Sequence, residues 1–305
     1  MPIPASSYLV MQAYGSKDIL NECVFALLTL CRQHSKEELT PLTVYIYTDQ
    51  PEYFHSFQNC WLNIQYREVN ATELAKWRGA IDFVHRVKIE VLLDFAATHI
   101  GQILYLDTDV YFAAPIDKIL QQIHKGQLYM HIMEGFVHRS DNLVFQKLSK
   151  FLKSNSIRVK NEQVIIPENA TMWNAGVLGF HTSYATVLDK VLDFTDEVYR
   201  QLPKHVVEQF AFSLYFQQTL PLKTAHTAIY HYWNLKELRP ILNSFFKHFK
   251  DKNWEELTQI SSLLQLPDYL QQKANFYSNR STLEKLLKKK WTPHVPDWNL
   301  LLQQL

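Results

Sequence analysis

Apolar runs followed by amphipathic stretches fill the first hundred residues of the chain. The runs are rich in β-branched and aromatic residues, which favours strands, and the stretches place apolar residues at helical spacing. Helices are predicted at about residues 19–34 and 81–98, and strands at about residues 8–14, 42–47, 60–69 and 103–106. Strand–helix units joined by short loops are typical of the α/β class with a doubly wound, mostly parallel sheet. In such sheets, ligands bind beyond the carboxyl ends of the strands.

The pattern changes twice farther along the chain. Between residues 118 and 199 it is mixed, with candidate strands at about residues 128–133 and 177–181. Beyond about residue 241 the chain is rich in Lys, Leu and Gln at helical spacing and carries little strand signal. We therefore predict a sheet-containing domain over residues 1–240 and a helical C-terminal extension over residues 241–305.

Composition and charge narrow the class of protein. Of the 305 residues, 47% are hydrophobic, which is enough for a sizeable core. The formal net charge of +1 argues against a dedicated nucleic-acid-binding protein, which normally carries a strong basic excess. The three cysteines have neither a disulfide framework nor metal-ligand spacing, and no stretch resembles a signal peptide or a membrane span. These features predict a cytoplasmic protein.

The strongest chemical signal is a pair of carboxylates at the end of an apolar strand. In the run Ile-Leu-Tyr-Leu-Asp-Thr-Asp-Val, the predicted strand ends in Asp107 and Asp109. Side chains two positions apart can reach one ion, and hard divalent cations prefer such oxygen ligands. A bound divalent ion would neutralise the charge of a departing diphosphate. The alternative is a turn in which both carboxylates cap backbone amides.

A basic pair lies on the helix that precedes this strand. Lys88 falls at helical spacing within a stripe of valine, leucine and phenylalanine side chains. A buried lysine needs an anionic partner, which a diphosphate would supply, or else it must extend its ammonium group to solvent. Arg86 is less diagnostic, because Asp82 and Glu90 lie four residues to either side and can form an ion-pair ladder with it.

Two later segments carry polar groups suited to a sugar. Asn174 and Gly176 precede the predicted strand 177–181, where an amide can bind sugar hydroxyls and a glycine lets a ligand approach the backbone. A plain turn into the strand would have the same sequence signature. Glu208 and Gln209 lie in a helical stretch and could present a carboxylate and an amide to the same ligand. Their alternative is an exposed helix face.

A histidine and a lysine complete the set of candidates. His231 follows an apolar pair in a His-Tyr-Trp run, and Lys236 stands five residues beyond it. A single histidine beside aromatic residues is usually a core or surface residue. His231 becomes informative only as a third ligand beside Asp107 and Asp109.

These motifs, in their order over roughly residues 8–240, resemble the GT-A glycosyltransferases. Within that fold the sequence is most similar to family 8, the retaining galactosyl- and glucosyltransferases. The resemblance implies a nucleotide-sugar-binding catalytic domain over residues 1–240. It further implies the transfer of a hexose from a nucleotide-sugar, a UDP-hexose, to a glycan or lipid-linked acceptor.

The resemblance also implies a role for each motif. Mn²⁺, or Mg²⁺ in its place, would be bound by Asp107, Asp109 and His231. Glu208 and Gln209 stand where the family usually has Asp-Gln, beside the reacting sugar carbon, and would be the catalytic pair. Arg86 and Lys88 would contact the nucleotide-sugar, Lys236 would approach the diphosphate, and Asn174 with Gly176 would line the sugar pocket. Tyr14, at the end of the first predicted strand, is the candidate for stacking on the base.

Two other functions remain open at this stage. A haloacid-dehalogenase-type phosphatase also carries its nucleophile in an Asp-x-Asp after a buried strand. That family has Thr or Val two places after the second Asp, where Tyr111 stands here, and its motif is usually near the N-terminus. The other alternative is a catalytically silent sugar-binding protein with the same fold.

The C-terminal segment is basic and amphipathic. Over residues 280–305 the leucines alternate at helical spacing with basic residues, which are Arg280, Lys285, Lys288, Lys289 and Lys290. A basic amphipathic helix can lie on an anionic membrane surface, which would place the enzyme at the inner face of the membrane. The alternative is a helix that docks its leucines on the catalytic domain and leaves its lysines in water.

Overall fold

The computed structural model describes residues 2–57, 59–281 and 290–303. Its strands in chain order are β1 (Ser7–Gln12), β2 (Leu42–Thr48), β3 (Asn63–Glu68), β4 (Gln102–Leu106), β5 (Val110–Phe112), β6 (Leu128–Met130), β7 (Met133–Phe136), β8 (Arg158–Val159), β9 (Glu162–Gln163), β10 (Thr171–Trp173), β11 (Val177–His181), β12 (Leu222–Thr224) and β13 (Ile229–His231).

The helices lie between and after these strands. They are α1 (Lys17–Gln33), α2 (Lys36–Leu39), α3 (Pro51–His55), α4 (Ala71–Arg78), α5 (Arg86–Thr98), α6 (Asp117–His124), α7 (Leu143–Ser154), α8 (Thr186–Gln201), α9 (Val206–Thr219), α10 (Arg239–His248), α11 (Trp254–Ile260), α12 (Leu266–Ser278) and a short helix at Trp298–Leu302. Single 3₁₀ turns occur at Val137–Arg139, Thr182–Tyr184, Lys236–Leu238 and Ser261–Leu263.

Seven strands form the central sheet, in the order β12-β6-β11-β4-β1-β2-β3. Strand β11 is antiparallel to both of its neighbours, β4 and β6, and the other adjacent pairs are parallel. Every residue of β4 is buried, as expected for a central strand that is covered on both faces. The predicted α/β class with a mostly parallel sheet is confirmed.

Helices cover both faces of this sheet. Successive side chains of a strand point to opposite faces, so Leu9 and Met11 of β1 enter the core that contains α1 and α10. Val10, between them, enters the core that contains α5 and α9. The buried leucines and valines of α1 therefore pack on one side of the sheet, and the apolar stripe of α5 packs on the other.

Several element boundaries differ from the predictions. The strand expected at residues 60–69 spans only Asn63–Glu68, and the helix expected from residue 81 begins at Arg86. Residues 79–85 form turns instead, so Val84 does not continue the apolar stripe and is 47% exposed. The run at residues 128–133 divides: β6 joins the central sheet, whereas Met133 begins β7, which pairs with β10.

The described residues after residue 240 are mainly helical. Trp254, Trp291 and Trp298 are buried in the same core as α1 and α10. The division at residue 240 is not tested by this packing and stays a prediction. Lys285, Lys288 and Lys289, on which the prediction of an amphipathic basic helix rests, lie outside the described residues. Among the described residues, no helix is long and apolar enough to cross a membrane.

Candidate functional site

A cleft with a cavity volume of about 550 Å³ opens at the carboxyl ends of the central strands. Gln12 at the end of β1 and Asp107 just beyond β4 both line it, and the first turn of α9 contributes Glu208 and Gln209. The cleft therefore lies where ligands bind in sheets of this class.

The pairing of two short strands assembles three candidate metal ligands. After Asp107, the chain passes through Thr108 and Asp109 into β5, which pairs antiparallel with β13. The register sets His231 opposite Val110, next to Asp109. One ligand atom from each of Asp107, Asp109 and His231 lies within 4.8 Å of the others. The His231 Nε2 atom is 3.1 Å from Asp109 Oδ1 and 3.8 Å from Asp107 Oδ2.

The surroundings of His231 orient its ring toward Asp109. Asn174 Oδ1 accepts a hydrogen bond from the Gly176 amide, so it also acts as an acceptor toward His231 Nδ1, 2.7 Å away. A neutral imidazole has one N–H, and here it is directed at Asn174. The Nε2 lone pair then faces the carboxylate of Asp109, which is favourable only with a proton or a metal ion between them. Two carboxylates and an oriented imidazole fit a divalent ion.

Lys236 completes the cation environment of Asp109. Its Nζ atom lies 2.5 Å from Asp109 Oδ2. Burial by itself would raise the pKa of Asp109, but His231 and Lys236 outweigh it and hold that pKa well below its ordinary value. Asp109 is thus ionised at neutral pH although it is buried.

A buried lysine ties Asp107 to Glu208. The Lys88 ammonium is 3.2 Å from the Asp107 carboxylate, 3.3 Å from Glu208 Oε1, and donates to the Ala175 carbonyl at 3.0 Å. The contacts with Asp107 and Ala175 are hydrogen bonds, and the contact with Glu208 is an ion pair. Asp107 also accepts a hydrogen bond from the Tyr105 hydroxyl. Lys88 therefore has its anionic partners within the protein, and its predicted contact with a diphosphate is not needed to explain its burial.

Glu208 is a buried acid of the cleft. Its side chain is 3% exposed, and burial raises its pKa to about 7, with Asp107 acting in the same direction and Lys88 opposing them. A raised pKa means that the folded chain holds the proton more tightly than the unfolded chain, whose glutamate has a pKa of 4.5. Stability contributed by the protonated group is therefore present at low pH and is lost as the pH rises from about 4.5 to about 7.

We expect Glu208→Gln to remove this pH dependence. The shift corresponds to about 3 kcal/mol, so the variant should gain roughly that much relative to wild type between pH 5 and pH 8. Urea unfolding at the two pH values measures the difference. Glu255→Gln, at an exposed position on α11, is the control and should follow wild type. If the unfolding free energies of Glu208→Gln and wild type differed by the same amount at pH 5 and pH 8, the raised pKa of Glu208 would be contradicted.

Glu134 is a cleft residue that the sequence patterns did not reveal. Its carboxylate accepts a hydrogen bond from Asn174 Nδ2 at 3.0 Å and another from Gln209 Nε2 at 2.8 Å. The three side chains form one polar group, which Asn174 joins to His231. Glu134 stands alone before Gly135 on β7, without a motif or a periodic pattern that could have pointed to it.

A second group that the sequence patterns did not reveal is the ion pair of Glu22 and Arg239, next to Thr108. The carboxylate of Glu22, on α1, accepts two hydrogen bonds from the Arg239 guanidinium, at 2.8 and 3.1 Å. Both residues line the cleft. Burial raises the pKa of Glu22, and Arg239 opposes that effect. Glu22 and Arg239 are 217 positions apart in the sequence, so no local sequence pattern could predict that they pair.

Tyr14 and Arg86 were both predicted to contact the nucleotide-sugar, but they lie in different parts of the structure. Tyr14 lines the cleft just beyond β1. Arg86 is not among the described residues that line it. Its guanidinium pairs with Asp196 and Glu90, at 2.7 and 2.6 Å, and donates to the Trp77 carbonyl. Of the predicted ion-pair ladder only the pair with Glu90 forms, because Asp82 pairs with Arg78, and the predicted contact of Arg86 with the nucleotide-sugar stays a prediction.

The remaining predicted residues lie together. Lys88, Asp107, Asp109, Asn174, Gly176, Glu208, Gln209, His231 and Lys236 all line the cleft. The structure therefore brings together residues from positions 14 to 236 of the chain. Their roles are proposals.

No protein-family model matches the sequence, and no curated protein matches it in sequence. Among solved structures, mouse xyloside xylosyltransferase 1 in its apo form is 10% identical, with a TM-score of 0.47, over 72% of this chain and 84% of that one. The glycosyltransferase GlyE of Streptococcus pneumoniae TIGR4 is 13% identical, with a TM-score of 0.47, over 84% of this chain and 63% of that one. The apo form of GlyE is 13% identical, with a TM-score of 0.43, over 84% of this chain and 62% of that one. The function is therefore inferred from the residues of the site.

Proposed function

We propose that the protein is a metal-dependent glycosyltransferase of the GT-A fold that moves a hexose from a nucleotide-sugar, a UDP-hexose, to a glycan or lipid-linked acceptor. The observation that carries this proposal is the cluster of Asp107, Asp109 and His231 within a cleft that is also lined by amide and carboxylate groups suited to sugar hydroxyls. The resemblance of the ordered motifs to family 8 supports the choice of donor.

The proposed metal is Mn²⁺ or Mg²⁺, held by Asp107, Asp109 and His231. When bound, such an ion neutralises the charge that develops on a departing diphosphate. Asn174 orients His231 by accepting its Nδ1–H, which keeps Nε2 directed at the ligand cluster. Lys88 positions Asp107 and Glu208 by binding both carboxylates.

The cationic groups and the polar groups of the cleft have different proposed roles. Lys236 is 49% exposed at its side chain and can leave Asp109 to bind a diphosphate, whereas Lys88 is 3% exposed and stays with its internal partners. Asn174, Gln209 and Glu134 offer amide and carboxylate groups to sugar hydroxyls. Glu208 and Gln209 remain the proposed catalytic pair at the reacting carbon. Tyr14 is proposed to stack on the base.

The two alternatives have less support. The phosphatase family has Thr or Val two places after the second Asp of its motif, where Tyr111 stands here. A catalytically silent sugar-binding protein would use the same cleft. Release of UDP from a UDP-hexose by the wild-type protein separates the enzyme from the silent protein.

Thermal unfolding tests the donor and the metal together. We expect UDP with Mn²⁺ to raise the melting temperature, because a ligand that binds only the native state stabilises it by mass action. A ligand at about a hundred times its dissociation constant adds about 2.7 kcal/mol, a shift of a few degrees for a chain of this size. GDP and CDP with Mn²⁺ are the matched controls. Equal shifts from the three nucleotides would contradict the choice of uridine, and shifts that persist in EDTA would contradict the metal.

A further inference from the structure

A second cavity, of about 370 Å³, adjoins the cleft between α7 and the 3₁₀ turn Val137–Arg139. Ser140 lines both cavities. Helix α7 connects them as well, because Val144 and Phe145 in its first turn line the cleft while Lys150 and Lys153 line the second cavity. We refer to this second cavity as the α7 groove. A molecule that extends from the cleft along α7 would lie over it.

The lining of the α7 groove is suited to an anion. Among the described residues that line it, none is acidic. The ammonium groups of Lys150 and Lys153 and the hydroxyls of Ser140 and Ser154 can donate hydrogen bonds to a ligand. His138 and Ser149 also line the groove but are bonded to each other at 2.7 Å, and Gln146 uses one amide hydrogen on the Ser140 carbonyl. Such donors with two cations match a phosphate or a carboxylate, whose oxygens accept hydrogen bonds.

The polar face of α7 is built by regular spacing. The groove residues after Gln146 are Ser149, Lys150, Lys153 and Ser154, which lie three, four, seven and eight positions farther along α7. This spacing places them on one side of the helix. The other side carries Phe145, Leu148 and Leu152, which are buried. The helix is therefore fixed by its apolar face and presents its amide, hydroxyl and ammonium groups to the groove.

The lysines of this face have no counter-charge in the described structure. Lys150 and Lys153 are three residues apart on one helix, where like charges disfavour each other. Within the described ranges, neither forms an ion pair. Residues 137–160 contain six Lys or Arg and one acidic residue, although the whole chain has a net charge of only +1. An anionic ligand would relieve this local repulsion.

We propose that the α7 groove binds an anionic group of the acceptor, a phosphate or a carboxylate, and that Lys150 and Lys153 select for it. This inference rests on the proposed transferase function, because it assigns the groove to the acceptor. It narrows the acceptor from a sugar of any kind to one that carries negative charge near the hydroxyl that is modified. Ser140, at the junction of the two cavities, would lie beside the connecting part of the acceptor.

Small sugars that differ in charge can test the groove on the full-length protein. Dissociation constants for glucose, glucose 6-phosphate and glucuronate are measured by NMR titration in the presence of UDP and Mn²⁺. We expect at least one of the two anionic sugars to bind about tenfold more tightly than glucose at low salt, and the advantage to shrink as salt screens the exposed lysines. The double variant Lys150→Gln/Lys153→Gln should lose this preference.

Lys147 provides a matched control. It is an exposed lysine on the same helix but is not among the described residues that line the groove, so Lys147→Gln removes one charge from α7 and should keep the preference. Preference for glucose 6-phosphate alone would identify a phosphate, and preference for glucuronate alone a carboxylate. Equal affinity for all three sugars would overturn the inference, as would a preference that survives the double variant or is lost equally in Lys147→Gln.

The same samples separate this inference from the proposed function. Stabilisation by UDP with Mn²⁺ is measured by thermal unfolding and involves the cleft, not the groove. Nucleotide binding without any preference for the anionic sugars would overturn the acceptor inference alone. A lysine-dependent preference without nucleotide binding would overturn the transferase function, and with it the assignment of the groove to an acceptor.

Discussion

Asp109→Asn is expected to lower the affinity for Mn²⁺ by at least about a hundredfold and to abolish metal-dependent release of UDP. Removing a group that only orients a metal ligand typically costs 10–100-fold in affinity, so removing the charge of a ligand should cost at least the upper end of that range. Asparagine has the same shape but lacks the charge, so the effect reports electrostatics and not packing. Titration calorimetry with Mn²⁺ and a UDP-release assay measure the two outcomes.

The same substitution should also destabilise the fold without metal. Because the pKa of Asp109 is lowered in the folded chain, its ionised form contributes stability above the unfolded value of 3.8, and this stability is lost as the pH falls. The variant lacks this contribution and leaves Lys236 and His231 without their carboxylate partner. Circular dichroism must therefore confirm that it is folded at the assay temperature.

Asp94→Asn is a suitable control for this experiment. Asp94 is a partly exposed carboxylate on α5 that pairs with Arg67, and it is not among the described residues lining the cleft. It should keep both Mn²⁺ binding and UDP release. If Asp109→Asn retained wild-type affinity for Mn²⁺, or if wild-type turnover continued in EDTA, the metal assignment would be wrong.

The sheet and the carboxylate pair could be predicted because their signals are local. The apolar run of β4 and the two aspartates that follow it are adjacent in sequence, and a buried strand of an α/β sheet that runs directly into two carboxylates is typical of a ligand-binding edge. Lys88 could also be picked out locally, since it interrupts an apolar helical stripe. Its partners could not be picked out, because Glu208 lies 120 positions away.

The parts that could not be predicted depend on pairing between distant segments. His231 reaches Asp109 only through the register of β5 and β13, two three-residue strands that periodicity cannot pair. Glu22 and Arg239 are likewise joined across the chain. For Arg86 one partner, Glu90, is visible at helical spacing, but the second carboxylate that binds its guanidinium belongs to Asp196, 110 residues away.

Gly176 links the backbone of the cleft to the position of His231. The Gly176 amide donates to Asn174 Oδ1, and its carbonyl accepts from the Asp107 amide, so the residue is fixed on both sides. A Cβ atom added here would lie 2.1 Å from His231 Nδ1 and 2.3 Å from Cε1. Side-chain carbons do not approach a ring so closely, so the imidazole or the backbone must move.

We expect Gly176→Ala to abolish metal-dependent UDP release and to weaken Mn²⁺ binding by about ten- to a hundredfold, because the methyl group occupies the space of the imidazole and breaks its hydrogen bond to Asn174. The change should also destabilise the fold by about 1–3 kcal/mol, the usual cost of overpacking a buried site. The double variant Gly176→Ala/His231→Ala separates the steric effect from any effect on the backbone. In the His231→Ala background the clash is gone, so adding Gly176→Ala should change the unfolding free energy little. If both backgrounds lost the same amount, the glycine would be required by the backbone itself, and its role in placing His231 would be excluded.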